Sequence, residues 1–477
     1  MAVSEKNACF TRYMITKIPF GEKYAGLSIF EPVDGTLVVV PSLSLPQDEL
    51  RRITGVRSYE ERLLFLLLTL REPGVKVIYL SSAPIDPDII DYYFSFLPDP
   101  DDAAKRLTLI TLDDPWSQPL TRNLLSHPDD AMEQLRSAID GDAWLVPFVL
   151  SELEEELASS LNVPLYGPAT SLSHYGSKSG AREVGHEAGV PMPRGFGDLR
   201  TEAEIEEAME GVPGDRVIVK LNDGYSGLGN VIVDKGDRSL TSFSAAGETW
   251  ASYTAKIQER GAVVEEYIEH RPLYYPSALA CITPGGDARV LATHDQILGG
   301  DSGQVYQGCT FPAAEEYRAE VGASAARIAT TLAEQGVVGV FGMDFFALKA
   351  DAGYAALLCE INLRIGGTTH PFGAAMLTTG AAYDPATGRL MSADQPKFYT
   401  ATDNCASVSL RGRTPGEIVR TAERLGVGFD PERRTGNVFH LLGAVPEHGK
   451  LGFTSIGNSR EEADELHALT RRLYCGP

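Results

Sequence analysis

The chain has 477 residues, 43% of them hydrophobic, and its 65 acidic residues exceed its 42 basic residues, for a formal charge of −23. This length predicts about three domains at roughly 150 residues each. The negative charge argues against nucleic acid or an anionic membrane as a partner, and no run of about 18 apolar residues predicts a membrane span.

The N-terminal part alternates short β-branched runs with helical patterns. The runs lie at 36–40, 75–80, 107–112 and 143–148. Such runs, too apolar to alternate, are typical of parallel strands covered by helices on both faces. They predict an open α/β domain over residues 1–168. No GxGxxG follows any of them, which argues against an NAD-dependent oxidoreductase.

The pattern changes to α+β near residue 169. A loop and a helix come first, and two hairpin patterns, VIVKLNDGYSGLGNVIV and the one ending in GYAALLCEINL, then flank a long helix at 315–336. We expect this domain to cover 169–390. A Gly-rich break then leads into a small α+β domain at 391–477, with a predicted helix, two strands and a last helix. The strands are predicted at 435–445 and 450–457.

The first hairpin carries Gly224, Gly227 and Gly229 between two strands rather than between a strand and a helix. Glycine permits positive φ and close approach, so backbone amides of such a loop can contact phosphate. Lys220 precedes the loop and can add a positive charge. The alternative is an ordinary glycine-rich turn with a surface lysine.

The second hairpin is predicted to bring Asp344 close to Glu360 and Asn362, which lie on one strand face because they are two residues apart. Two carboxylates and an amide oxygen suit Mg²⁺ better than Zn²⁺. Arg364 follows on the same face and can bind a phosphoryl oxygen. A half-exposed strand with alternating polar residues is the alternative.

Between the hairpins, AVVEEYIEHRP is an apolar run that ends in polar residues. The backbone of Glu265, Glu266, Tyr267 and Ile268 could contact an adenine edge, and Glu269 could reach ribose hydroxyls. A strand end at the surface explains the same pattern.

Five motifs, in chain order, resemble those of the ATP-grasp superfamily: GSK (Lys178), VIVKLNDGYSGLGN (Lys220), VVEEYI, GMDFF (Asp344) and CEINLRIGGTTHP (Glu360, Asn362, Arg364). The resemblance covers about residues 35–380. It implies a pre-ATP-grasp α/β domain followed by a two-lobed grasp. It also implies that Lys178 and Lys220 contact ATP phosphates, that residues 265–268 form the adenine hinge, and that the acidic strand binds Mg²⁺, with Mn²⁺ as an alternative.

The stretch after Glu360 is similar to the EMNxR stretch of the biotin-carboxylase-like branch, which puts Arg364 in the catalytic position. Glu266 departs from the basic residue found there in several members. The longer GGTTHP continuation leaves the role of His370 open, and a lone His beside Pro is usually structural.

Two further segments, DARVLATHDQILGGDSGQVYQGCTFP and GNVFHLLGAVPEHGKLGFTSIG, resemble the ATP-grasp peptide ligase of pheganomycin biosynthesis and its relatives. This resemblance implies that a non-ribosomal amino acid is joined to an amino acid or short peptide. Arg289 in the first segment could bind phosphate or a substrate carboxylate.

We therefore expect an ATP-dependent ligase that joins a carboxylate to an amine through an acyl phosphate. An ATP-grasp kinase and a non-catalytic ATP-binding regulator are the alternatives. The six cysteines form no CxxC or zinc spacing and are expected to be reduced, and the N-terminus has no apolar signal region, so a cytoplasmic enzyme is expected. Many members dimerise, but no heptad pattern here decides the oligomeric state.

Overall fold

The computed structural model describes residues 18–45, 54–113, 118–126, 130–223, 229–236, 240–242, 250–269, 272–299, 305–351 and 353–476. The strands are β1 (Gly35–Val40), β2 (Val75–Ser81), β3 (Leu107–Thr111), β4 (Ala143–Pro147), β5 (Gly195–Leu199), β6 (Arg216–Leu221), β7 (Asn230–Asp234), β8 (Leu240–Ser242), β9 (Ala262–Glu266), β10 (Leu273–Tyr274), β11 (Pro276–Ile282), β12 (Ala288–Gly299), β13 (Val305–Phe311), β14 (Gly339–Lys349), β15 (Tyr354–Asn362), β16 (Ala382–Asp384), β17 (Arg389–Ser392), β18 (Gln395–Ala406), β19 (Gly436–His440) and β20 (Lys450–Gly457).

The α-helices are α1 (Pro87–Phe94), α2 (Pro100–Lys105), α3 (Leu120–Ser126), α4 (Ala131–Ala138), α5 (Glu152–Leu161), α6 (Lys178–Glu187), α7 (Glu202–Gly211), α8 (Trp250–Arg260), α9 (Glu315–Glu334), α10 (Thr369–Thr379), α11 (Pro415–Arg424), α12 (Val445–His448) and α13 (Arg460–Cys475). Segments of 3-10 helix occupy Glu22–Tyr24, Val56–Arg71, Thr170–Gly176, Val408–Leu410 and Leu442–Ala444. None of the helices in the described ranges combines the length and the apolar character needed to cross a bilayer.

The N-terminal sheet is parallel and has the strand order β3-β2-β1-β4. Its two central strands, β1 and β2, and the edge strand β4 are almost fully buried. This is the environment that near-continuous apolar runs require, because helices cover both faces of a parallel sheet. The predicted open α/β domain is confirmed in its architecture.

A second, antiparallel sheet has the order β5-β9-β6-β7-β8. Strands β6 and β7 form the predicted glycine-rich hairpin, with Lys220 opposite Asn230. On its other side β6 pairs with β9, so that Lys220 lies opposite Val263. Helices α7 and α8 pack on this sheet through a separate core that includes Ile205 and Ile257.

The largest sheet contains β14 and β15 as neighbours, and β14 also pairs with β11. Helix α9 covers this part of the sheet, because Val321, Ala325, Ile328 and Leu332 recur at helical spacing and are all buried. These elements form the hairpin predicted to carry the acidic residues, with β15 paired to β14.

The C-terminal segment is continuous with the large sheet. Strand β18 pairs with β13 on one side and with β20 on the other. The proposed boundary at residue 390 stays a prediction. The strand predicted at 435–445 was wrong beyond His440: Leu441 adopts a left-handed φ of 53°, and a 3-10 turn and helix α12 follow. A positive φ turns the chain out of the strand despite its apolar sequence.

The expectation that all cysteines are reduced was wrong for one pair. Cys405 on β18 and Cys475 at the end of α13 form a disulfide, with their Cα atoms 5.7 Å apart. Their separation of 70 residues hides this pairing in the sequence. Cys281, Cys309 and Cys359 are free thiols, and Cys9 lies outside the described residues.

Candidate active site

A cavity of about 690 Å³ lies between the antiparallel sheet, the large sheet and the carboxyl ends of β1 and β4. Crevices outside the carboxyl ends of parallel strands are the usual place for ligands in α/β folds. The described residues that line it include Leu43, Tyr59, Arg62, Phe148, Val149, Lys220, Glu265, Glu266, Tyr267, Ile268, Gln296, Tyr306, Asp344, Glu360, Asn362, Arg364, Asp403 and Lys450.

Lys220 is held by a buried carboxylate from the neighbouring strand. Its Nζ donates to Glu265 Oε2 over 2.7 Å, and Arg182 Nη1 donates to Glu265 Oε1 over 2.7 Å. Burial alone would lower the pKa of Lys220, but Glu265, together with Cys359 and Glu360, outweighs that effect and the pKa is raised. The lysine therefore carries its charge into the cavity, as a phosphate ligand must.

The acidic hairpin brings the predicted metal ligands together. Asp344 lies opposite Glu360 in the β14–β15 pairing, and Asn362 Nδ2 donates to Asp344 Oδ2 over 3.0 Å. Lys178 opens helix α6, and its Nζ is 2.5 Å from Glu360 Oε2. The first lysine motif and the acidic strand, 182 residues apart in the sequence, thus meet directly.

The electrostatics of this hairpin favour a bound cation. Removal from water and the Glu360 charge raise the pKa of Asp344 to about 7. Removal from water would also raise the pKa of Glu360, but Lys178, with Lys220 and Arg364, reverses that effect and lowers it. Within the described ranges no cluster of three His, Cys, Asp or Glu forms a metal site. The available donors are two carboxylates and an amide, which fit Mg²⁺ with retained waters and phosphate ligands.

Arg364 lies two residues beyond the end of β15, so it is not on the strand face where the alternation predicted it. Its guanidinium still reaches the metal-ligand group, because Nη2 donates to Asn362 Oδ1 over 3.3 Å. It also lines the cavity. A guanidinium in this position can contact a phosphoryl oxygen beside the acidic residues.

The segment 265–268, predicted as the adenine hinge, lines the cavity, but its carboxylates point to protein partners. Glu265 is occupied by Lys220, and Glu266 accepts from the backbone and side chain of Arg194. Glu269 is exposed, pairs with Arg216, and is not among the described residues lining the cavity. Only backbone groups and the side chains of Tyr267 and Ile268 are left to contact a base.

Some predicted site residues are not among the described residues that line this cavity. Lys178 is buried and contacts the cavity wall through Glu360. Arg289 pairs with Asp287 over 2.5 Å and with Glu31 over 3.4 Å, and it does not line the cavity. Gly224 and Gly227 lie outside the described residues. Gly229 is described and has a φ of 88°, a value that favours glycine at this turn.

His370 is buried in the first turn of α10. Its Nδ1 donates to the Arg62 carbonyl over 2.9 Å, and burial lowers its pKa to about 4. Its ring centroid is 4.0 Å from that of His440. These contacts give His370 a packing role against the segment that carries Arg62.

Sequence reasoning missed several residues of the site. Arg182 lies one helical turn after Lys178, and that i, i+4 spacing could have shown that both reach the same side. Gln296, whose Nε2 donates to Asp344 Oδ1 over 3.0 Å, lies in the quoted THDQ segment. Arg62 and Lys450 line the cavity from the two ends of the chain, and no local pattern marks them.

Comparison with known proteins decides the family. Residues 178–368 match the model of the ATP-grasp domain, and residues 417–470 match that of the PGM1 C-terminal domain. L-propargylglycine–L-glutamate ligase of Streptantibioticus cattleyicolor is 31% identical over 466 residues, covering 93% of this chain and 94% of that enzyme. The chain belongs to the ATP-grasp family. It is accordingly an ATP-dependent enzyme that joins a carboxylate to an amine.

Solved ATP-grasp structures share the fold. Biotin carboxylase from Campylobacter jejuni has a TM-score of 0.58 at 14% identity, covering 91% of this chain and 90% of that one. N5-carboxyaminoimidazole ribonucleotide synthetase from Thermus thermophilus has a TM-score of 0.52 at 17% identity, covering 93% and 99%. The shared fold covers more than nine-tenths of this chain, so it reaches beyond the matched ATP-grasp domain at 178–368.

Proposed function

We propose that the cavity binds Mg·ATP and two substrates, and that the enzyme joins the carboxylate of one amino acid to the amino group of another amino acid or a short peptide, in natural-product biosynthesis. The convergence of Lys178, Glu360, Asp344 and Asn362 beside Arg364 carries the proposal. The relative named for L-propargylglycine and L-glutamate supports amino acids as the substrate class.

The protein acts by positioning and by charge. Lys178 and Lys220 donate to terminal phosphate oxygens, and the backbone of 266–268 faces the adenine edge. Asp344, Glu360 and Asn362 would hold magnesium, which neutralises phosphate charge when it is bound. Leu43, Phe148 and Val149 exclude water from the opposite wall.

The reaction has two steps. A substrate carboxylate oxygen attacks the γ-phosphorus, so that an O–P bond forms, the bond to ADP breaks, and an acyl phosphate results. The amine nitrogen then attacks the acyl carbon, forming the C–N bond as phosphate leaves and the amine loses a proton. Arg364 stabilises the charge that develops on the phosphoryl group and on the tetrahedral oxyanion.

The test is turnover of the purified protein with ATP, Mg²⁺ and pairs of amino acids, starting with L-glutamate and L-propargylglycine. We expect equal amounts of ADP and phosphate and a product with the mass of the two substrates minus water, measured by mass spectrometry. A phosphorylated substrate without free phosphate would identify a kinase instead. ATP binding without turnover on any amino acid or peptide pair would contradict the proposal.

A further inference from the structure

Three side chains at one end of the cavity form a cationic group that the ATP chemistry does not use. Tyr59 and Arg62 come from the segment Val56–Arg71, and Lys450 is the first residue of β20. All three line the cavity. They come from opposite ends of the chain, so only the folded protein assembles them.

The contacts within this group are specific. Lys450 Nζ donates to the Tyr59 hydroxyl over 2.6 Å, and the Arg62 guanidinium lies 3.9 Å from the Tyr59 ring centroid. Arg62 also pairs with Asp403. Tyr59 therefore lies between two cations, one of which already has a carboxylate partner.

Lys450 is 8% exposed, and within the described part of the chain it makes no ion pair. A buried ammonium without an anion is costly, because burial removes its hydration. Another buried lysine, Lys397 at the opposite end of the paired strand β18, is satisfied differently: it donates to two backbone carbonyls and to Asn458. Of these two buried lysines, Lys450 is the one that lines the cavity and can pair with an anionic ligand there.

This group lies next to the reaction centre. Arg62 and Asp403 share a small adjoining pocket with Gly366 and Gly367, the residues that follow Arg364 by two and three positions. The segment after Arg364 therefore faces the same pocket as Arg62, and Arg62 contacts Tyr59, which in turn accepts from Lys450. A substrate whose reacting carboxyl or amino group lies at Arg364 can extend toward Lys450.

We propose that Lys450, oriented by Tyr59, binds a carboxylate of an amino-acid substrate that does not itself react. Arg62, held by Asp403, adds positive potential beside it. This inference rests on the proposed ligase function and adds to it a rule of substrate choice. The enzyme selects, in at least one of its two substrates, a free acid over the corresponding amide.

The experiment compares wild type with Lys450→Met and Lys450→Arg in ligation assays. The substrates are L-glutamate and L-propargylglycine, and the forms of each in which one carboxyl group, the one that does not react, is a carboxamide. We expect Lys450→Met to raise the KM of one amino acid roughly 30-fold and to reduce the preference for acid over amide by a similar factor, as for loss of one charge-assisted hydrogen bond. The KM for ATP stays within about 2-fold. Lys450→Arg recovers most of the preference.

Lys397→Met is the matched control, because it removes a buried lysine from the paired strand outside the cavity. It should leave the acid-over-amide preference unchanged. An equal preference in wild type and Lys450→Met, or the same loss in Lys397→Met, would overturn the inference and leave a structural role for Lys450.

A binding measurement separates this inference from the proposed function. Each amino acid and its carboxamide are added to wild type and Lys450→Met, and the change in Tm is followed without turnover. Stabilisation by an acid that is absent with its amide and lost in Lys450→Met supports the site even if no ligation product forms. Equal shifts in both proteins contradict the site even if ligation proceeds.

Discussion

The two ends of the cavity differ in how their charges are held. At the nucleotide end, Lys220 and Lys178 each have a carboxylate partner within the protein. At the other end, Lys450 has a tyrosine hydroxyl and, among the described residues, no carboxylate. Carboxylate partners within the protein keep the nucleotide-end lysines in place between turnovers. At the other end, a ligand carboxylate that pairs with Lys450 removes the cost of its unpaired charge, and this favours binding.

The largest effect is expected from the metal-ligand pair. Glu360→Ala removes a proposed magnesium ligand and leaves Lys178 without its carboxylate. We expect kcat to fall on the order of 1,000-fold, measured as ADP release at saturating substrates. Glu183→Ala, an exposed carboxylate on the same helix as Lys178, is the control and should be unchanged. Unchanged ADP release in Glu360→Ala would contradict the proposal that Glu360 holds magnesium at the nucleotide end.

Stability separates two adjacent glutamates at the hinge. Glu265→Gln leaves Lys220 and Arg182 buried without their anion, and we expect it to lower the unfolding free energy by about 3 kcal/mol. Glu266→Gln affects a pair whose arginine is 72% exposed, and should cost less than about 1 kcal/mol. Urea denaturation measures both. Equal losses would show that the buried Glu265 pairs with Lys220 and Arg182 contribute no more to stability than the exposed pair of Glu266.

The segment that supplies Tyr59 and Arg62 carries its own buried acid. Glu60 accepts from the backbone and hydroxyl of Ser82, and burial raises its pKa from 4.5 to about 7. Between these two values the folded state holds on Glu60 a proton that the unfolded state has released. The contribution of Glu60 to stability therefore falls as pH rises from about 4.5 to 7 and is level above that.

Glu60→Gln should make this fall less steep by the contribution of one group, at most about 1.4 kcal/mol per pH unit. Part of the fall should remain, because burial also raises the pKa of Glu61 to about 8 and that of Asp344 to about 7. Urea denaturation of both proteins between pH 5 and 8 gives the comparison. Parallel pH profiles for wild type and variant would mean that Glu60 is ionised at this end of the cavity throughout.

The smallest effect is expected from Arg289, which is not among the described residues that line the cavity. Arg289→Ala removes a partly exposed arginine whose partners are Asp287 and Glu31. We expect the KM for ATP and for both amino acids to stay within about 2-fold of wild type. A KM raised tenfold or more for ATP or for either amino acid would show that Arg289 contributes to substrate binding.

The same contrast explains what the sequence could predict. Asp344 and Glu360 are joined by one hairpin, so their proximity follows from local pairing. Lys220 and Glu265 meet only because β9 lies beside β6, which sequence order does not specify. Lys450 and Tyr59 are 391 residues apart, and no periodicity relates them. Motifs identify a nucleotide site because they are local, while the substrate end depends on the packing of distant segments.

The continuity of the large sheet has a consequence for engineering. Lys450 on β20 and Asp344 on β14 belong to one hydrogen-bonded sheet, connected through β18, β13, β12 and β11. A chimera that imports substrate choice from a relative therefore has to carry β18 together with β20, because both edges of β18 are paired. A crossover placed before β18, in the turn at Ala393 and Asp394, keeps the β18–β20 ladder within one parent. The β13–β18 and β17–β18 ladders then join the two parents, so their pairing residues have to be compatible.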